Sequence, residues 1–320
     1  MCMCMCILGE GARVPCQVLM TNWLPAFSPS ADPRGAMALA ALSGDEQLDI
    51  FVQLCNPLDP GVAVAFGSAS KELWELTQAP RQQLQADHEA AAVLCLKLGK
   101  RSCKELREAT SINCAFQKGL SSDNLALLGT LGSVLPALGA LWLCEPAAGP
   151  DGMQRLADKL GAGSLPAVAY LNLNNTHVGD AGASALAAAL GRGALPRLKR
   201  LYLGNTAIGD AGLLALAPAL RRLPALESLD FQGSQFGDAG LAALVAPPPP
   251  AGAPPPTTGG LAKLESLYLI LTQITDSGCA TLAAALDSGT LPALKRLYLA
   301  GTQASATAKA TIFDRLDHHD

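Results

Sequence analysis

Charge and aromatic side chains are both scarce in this chain of 320 residues, at 16% and 4% of positions. The formal net charge of −4 removes the electrostatic case for gripping nucleic acid or an anionic membrane, since both need a positive face. So few aromatics argue against a β-sandwich and favour leucine- and alanine-rich helical or repeating architecture. No apolar run reaches the roughly 18 residues that a spanning helix requires, so no membrane partner is expected. The opening apolar residues run into Gly9-Glu10-Gly11-Ala12-Arg13, which is not the charged-then-apolar order of a secretory leader. The 10 cysteines lack the spacing of a disulfide framework. That usage fits free, mostly buried thiols in a reducing compartment, so a cytoplasmic or nuclear location is expected.

Catalytic spacing is missing as well. Gly67-Ser68-Ala69-Ser70-Lys71 is too short for a phosphate-binding loop, and His88-Glu89 has no second histidine one helical turn on. The chain has no Gly-x-Ser-x-Gly elbow and no Cys-x-x-Cys pair. His88 and His177 stand alone and read as surface residues, as do His318 and His319 near the end. Met1-Cys2-Met3-Cys4-Met5-Cys6 alternates three thiols that could hold a soft metal, but neither a histidine nor a second cysteine cluster accompanies them. The basic run Lys97, Lys100, Arg101, Lys104 and Arg107 is interleaved with Glu105 and Glu108, as on a solvated helix face. No catalytic residue, cofactor or metal is expected.

What the chain does have is repetition. Units open at Leu135, Leu165, Leu195, Leu223, Leu261 and Leu291, at intervals of 30, 30, 28, 38 and 30 residues. One unit reads Leu195, Leu198, Leu201, Leu203, Thr206, Ile208, Asp210, Gly212, Leu216 and Leu220, and the units from Leu165 and Leu261 fill the same slots. Leu201 and Leu203 alternate, as a strand with one buried face requires. Leu216 and Leu220 are four apart, as one face of a helix requires. Asp210 is placed to cap its own helix by accepting from first-turn amides, and Gly212 keeps side-chain volume low at the turn. Each unit is therefore strand, turn, helix and return, which makes successive strands parallel and the crossovers right-handed.

These slots resemble leucine-rich repeats of the ribonuclease-inhibitor type over about 135–299. The family's Asn slot is filled instead by Pro146, Thr176, Thr206, Ser234, Thr272 and Thr302, whose hydroxyls can still satisfy a neighbouring backbone group. The fold class is then α/β, a leucine-rich-repeat solenoid preceded by a small all-α region. Ser121–Val134 reads as a half-unit sealing the front, and Ile312 with Leu316 as the last helix. The repeat domain spans 119–320. It carries a proline-rich insertion at 246–260 with seven prolines, read as a passive loop.

Parallel strands lie about 4.8 Å apart and packed helices about 8–10 Å, so the stack bends with the strands inside. The residue between the paired leucines faces that concavity: Trp142, Asn172, Tyr202, Asp230, Tyr268 and Tyr298, flanked by Arg200 and Arg296 among other charges. Aromatic and arginine side chains on a concave wall are what protein-binding hot spots are made of. A protein partner is expected there. The competing explanation is that duplicated units copied their tyrosines without a function.

Residues 1–36 read as a disordered or adventitious extension, with Met37 as the natural start. Residues 37–118 read as helical, with capping boxes at Ser43–Glu46 and Ser102–Glu105. Leu42, the run Asp45–Leu54 and Ser70–Leu76 resemble an F-box, although Leu42-Ser43 replaces the usual Leu-Pro and Trp74 stands three places after Lys71. That resemblance implies a Skp1-type adaptor facing Ile50, Phe51, Leu54 and Trp74, and a substrate-recognition subunit of a ubiquitin ligase. A generic helical segment flanking the repeats is the alternative. Repeats of this type also resemble Ran GTPase-activating proteins, whose acidic tail this chain lacks. A bare repeat scaffold needs neither partner.

Overall fold

The computed structural model describes residues 42–114, 120–143, 149–245 and 261–317. The expectations for the Met/Cys stretch, the Met37 start, Pro146 and the insertion at 246–260 fall outside them. Within the described residues, five helices come first: α1 (Gly44–Leu54), α2 (Gly61–Gly67), α3 (Lys71–Leu76), α4 (Gln78–Lys97) and α5 (Cys103–Arg107). Strands and helices then alternate: β1 (Ser111–Asn113), α6 (Ser122–Thr130), β2 (Ala140–Trp142), α7 (Pro150–Lys159), β3 (Tyr170–Asn172), α8 (Gly179–Gly191), β4 (Arg200–Tyr202), α9 (Asp210–Leu220), β5 (Ser228–Asp230), α10 (Asp238–Leu244), β6 (Ser266–Tyr268), α11 (Asp276–Asp287), β7 (Arg296–Tyr298) and α12 (Ala306–Asp317).

The seven strands form one parallel sheet in chain order. Every pairing aligns the central apolar residue with its neighbour, so that Leu141, Leu171, Leu201, Leu229, Leu267 and Leu297 form a continuous row. This is an α/β leucine-rich-repeat solenoid. Its core is a single run of buried aliphatics from Leu58 to Ile312. One unit could not stand alone. Fully burying an aliphatic side chain contributes about 1.5–3 kcal/mol, against about 1–2 kcal/mol per residue of backbone ordering. Neighbours on both sides tip that balance.

The sheet begins earlier than the repeat pattern indicates. Ser111-Ile112-Asn113 pairs in parallel with Ala140-Leu141-Trp142, inside the stretch expected to be all-α. The N-terminal helices are also tied into the stack, because Ala91, Leu94, Cys95 and Leu98 near the end of α4 share the solenoid core. A smaller cluster of Phe51, Ala63 and Leu84 holds α1, α2 and α4 together.

The α1 capping box forms as expected: Glu46 N donates to Ser43 Oγ at 3.3 Å, and Ser43 N donates to the Glu46 carboxylate at 2.8 Å. In the Asn slot, the hydroxyls of Thr176, Thr206, Thr272 and Thr302 donate to the carbonyl three residues back, at 2.5–2.9 Å. The buried turn is thereby satisfied without asparagine.

The recurring aspartates do not cap their own helices. Asp180 accepts from Gly209 N at 2.7 Å, Asp210 from Gly237 N and Gly240 N at 3.0 and 2.7 Å, Asp238 from Thr275 N at 2.9 Å, and Asp276 from Ser305 N at 2.6 Å. Each carboxylate reaches across to the unit that follows it. The parallel stack sets the start of the next helix beside it, whereas Asp210, Asp238 and Asp276 are already the first residue of their own helices. The glycine two places after Asp210, Asp238 and Asp276 now has a physical reason. A Cβ on Gly212, Gly240 or Gly278 would lie 2.5, 2.8 or 2.3 Å from the Oδ1 of the preceding unit's aspartate. The glycine is the space into which that carboxylate fits.

Candidate binding face

The face of the sheet away from the helices carries two rows of side chains. Register places Tyr170 beside Arg200, and Asn172 beside Tyr202. It continues the second row through Asp230, Tyr268 and Tyr298. Trp142, Asn172, Tyr202, Asp230 and Tyr268 are half-buried, while Tyr298, Arg200 and Arg296 are exposed. The residues singled out from the repeat pattern therefore share one surface.

The aromatics on it form two groups. Trp142, Tyr170 and Tyr202 make a tilted ladder with centroids 4.9 and 5.1 Å apart. Tyr268 and Tyr298 stack at 4.5 Å. Tyr170 is the rung missing from the row between the leucines. It belongs to the neighbouring row, and only the two-residue alternation of a strand face signals that it joins the others.

Asp230 lies between the two groups and is held in place. One carboxylate oxygen accepts from Gln232 N at 2.9 Å, the other from Asn174 Nδ2 at 3.3 Å. Asn174 in turn accepts from Gly204 N at 2.7 Å, so a single amide ties three units together. At the rim Lys199 pairs with Glu227 at 2.7 Å and Arg296 with Glu265 at 3.8 Å. Both pairs are partly exposed and contribute little to stability. Burial, then Tyr298 and Tyr202, raise the Tyr268 phenol above its ordinary value. The face thus offers flat aromatic area, phenol and amide hydrogen bonds and charges of both signs on a rigid support. It has no nucleophile–base pair.

The residues of the F-box-like stretch scatter. Phe51 is fully buried in the small cluster with Ala63 and Leu84, so it is unavailable to an adaptor while that cluster holds. Ile50 and Leu54 are half-buried. Trp74 is 50% exposed, and the Arg81 guanidinium lies 3.3 Å from its ring centroid. Among the described residues, no group of three or more His, Cys, Asp or Glu could hold a metal ion. No helix of those residues is long and apolar enough to cross a membrane.

A family model described as Leucine Rich repeat matches residues 168–187, 195–217 and 223–245. These segments contain β3, β4 and β5, most of α8 and α9, and all of α10. No curated protein matches the chain. Among solved structures, the chain is similar to one titled leiomodin-1 actin-binding site 2. Identity is 14%, coverage is 68% of this chain and 86% of that one, and the TM-score is 0.31. A likeness that weak carries no argument about function.

Proposed function

We propose that this protein is a non-enzymatic binding scaffold whose concave sheet face, from Trp142 to Tyr298, holds a protein partner. The observation that carries it is the two-group aromatic array on one rigid surface, where stacked and tilted rings present large area at low entropic cost. Leucine-rich repeats are in general a protein-binding scaffold, which agrees with the three matched units. We assign the repeats to the ribonuclease-inhibitor type because helices of 11–13 residues, as in α8, α9 and α11, link successive strands. Free thiols at Cys55, Cys95, Cys103, Cys114 and Cys279 support the cytoplasm or nucleus as its place, to be checked by fractionation.

The test is affinity capture with the full chain beside a variant carrying Tyr202→Ala, Tyr268→Ala and Tyr298→Ala. The variant should fold, since these side chains stand outside the core, and should lose the partners that the parent enriches. Identical capture by both proteins overturns the reading.

A second interface on the N-terminal helices is supported by a separate observation. Val52 in α1, Val62 in α2 and Trp74 in α3 are each at least half exposed, which leaves apolar side chains of three consecutive helices open to solvent. A Skp1-type adaptor, and with it a ubiquitin-ligase role, is the partner that the F-box resemblance suggests for that surface. Co-purification of such an adaptor with the full chain, abolished by Trp74→Ala, is the expected result. Absence of binding at micromolar concentration removes the ligase reading and leaves the scaffold intact.

A further inference from the structure

His88, expected to be an isolated surface histidine, is half-buried and sits in a chain of polar groups at the junction between the N-terminal helices and the sheet. Its Nδ1 lies 2.6 Å from the carbonyl oxygen of Pro57. A carbonyl can only accept, so Nδ1 carries the proton and the other ring nitrogen is left to serve a different partner. The thiol of Cys103, the first residue of α5, interacts with the imidazole and raises its pKa. Cys95 lies two turns beyond His88 on α4 and places its sulfur 3.8 Å from that of Cys103.

The order carbonyl, imidazole, thiol, second thiol is the arrangement in which an oriented base activates a sulfur nucleophile. Cys103 is 8% exposed and Cys95 1%, which leaves no room for a peptide or ester substrate. A peroxide is small enough to arrive. We infer that Cys103 and Cys95 are an oxidation site, with Cys103 attacking hydrogen peroxide and Cys95 resolving the product as an intramolecular disulfide.

The chemistry balances. The Cys103 thiolate attacks one peroxide oxygen, the O–O bond breaks, and the departing hydroxide takes a proton from the His88 imidazolium to leave as water. Cys103 is now a sulfenic acid. The Cys95 sulfur attacks the Cys103 sulfur and gives up its proton. The S–O bond breaks, and a second water leaves. Two thiols and one peroxide become one disulfide and two waters.

Electrostatics favours this division of labour. The hydrogen bond from Cys95 and then the contact with His88 hold the Cys103 thiol below its ordinary value against the cost of burial. The same Cys95–Cys103 bond, together with burial, raises Cys95. The imidazole beside Cys103 marks that sulfur as the attacking one, and Cys95, which donates to it at 3.8 Å, as its resolving partner. The sulfurs must close from 3.8 Å to about 2.05 Å. The intervening segment, residues 96–102, turns through Gly99 at φ +71°, and this turn would supply the adjustment. So short a loop gains little from cross-linking, so the site's value is chemical, not structural.

The test uses the full-length reduced protein. After brief exposure to limiting hydrogen peroxide, remaining thiols are alkylated and the protein is digested with trypsin. Cleavage at Lys97, Lys100 and Arg101 separates the Cys95 peptide from the Cys103 peptide, so a disulfide appears as their reunion, minus two hydrogens. Expected is this linked pair at peroxide levels that leave Cys55 and Cys279 alkylatable, with oxidation at least tenfold faster than at those internal standards. Cys95→Ser should trap Cys103 as a sulfenic acid, captured by dimedone when the peroxide-treated protein is unfolded in its presence. His88→Gln should slow the reaction several-fold while the same linkage still forms. Oxidation of Cys103 no faster than that of Cys55 in the unmodified chain overturns the inference whatever the variants do, and so does fast oxidation without the Cys95 link.

Discussion

Tyr268 and Tyr298 come from units one interval apart, and their rings lie parallel to within 8°, with centroids 4.5 Å apart. Register alone brings the two residues side by side. The stack is thus a product of repeat length, and an inserted residue in either return would break it. Aromatic pairs of this kind are worth about 0.5–1.5 kcal/mol beyond area burial. A double-mutant cycle of Tyr268→Ala and Tyr298→Ala, read by urea denaturation, should show coupling in that range, whereas Tyr298→Phe should retain the coupling. Strict additivity would mean the rings do not stack in solution.

Tyr268 also makes a prediction in alkali. Burial, then Tyr298 and Tyr202, push its phenol up, so the folded pKa exceeds the unfolded one of about 10. A group of that kind contributes stability that is fully present below the unfolded pKa and is lost as pH rises through the folded pKa. The difference between the ultraviolet phenolate titrations of the parent and of Tyr268→Phe carries this phenol together with the response of Tyr298 and Tyr202. Its midpoint should lie above the ordinary tyrosine value, and the parent should lose more stability than the variant across that alkaline window.

Asp210 and Gly240 should be coupled. Gly240→Ala puts a Cβ 2.8 Å from Asp210 Oδ1 and 3.1 Å from the Phe236 Cβ, and Asp210→Ala removes bonds to Gly237 N and Gly240 N. Each change alone should cost about 1–3 kcal/mol. Together they should cost clearly less than the sum, because alanine at 210 vacates the space that the new methyl needs. Thermal unfolding of the four proteins decides it, and additivity within about 0.3–0.5 kcal/mol would refute the bridge.

Most of the solenoid was legible from the spacing of its leucines, since alternation and four-residue spacing have one physical meaning each. β1 was not. Ser111-Ile112-Asn113 buries only Ile112 and lacks the paired leucines, so its strand character comes from its neighbour Ala140–Trp142. The aspartates were legible as caps but not in their direction, because periodicity fixes positions along a chain and not which layer a carboxylate reaches. Phe51 matched a motif, yet its burial follows from packing against Ala63 and Leu84, which no spacing within α1 reveals. The repeat slots place Trp142, Asn172, Tyr202, Asp230, Tyr268 and Tyr298 in one row, with Tyr170 in the row beside it. The sulfur–imidazole junction was hidden because Pro57, His88, Cys95 and Cys103 meet only through the packing of α4 and α5 against the segment before α2.

Ala207 offers a stabilising change. Its φ is +56° and its side chain is exposed, so it bears the left-handed penalty of about 1–2 kcal/mol with no packing in return. Ala207→Gly removes that penalty at an entropic cost of about 0.5–1 kcal/mol. The midpoint of denaturation should rise, by about 0.5–1 kcal/mol in stability. An unchanged or lower midpoint would indicate a different backbone conformation there.

The forward reach of Asp180, Asp210, Asp238 and Asp276 gives the stack a direction. In a chain emerging from the ribosome, amino end first, the segments that open α9, α10, α11 and α12 each find the carboxylate that receives their amides already built. Assembly can then advance like masonry laid in courses, each resting on the one before. Damage to an early course should propagate towards the carboxyl end more readily than damage to a late one travels back.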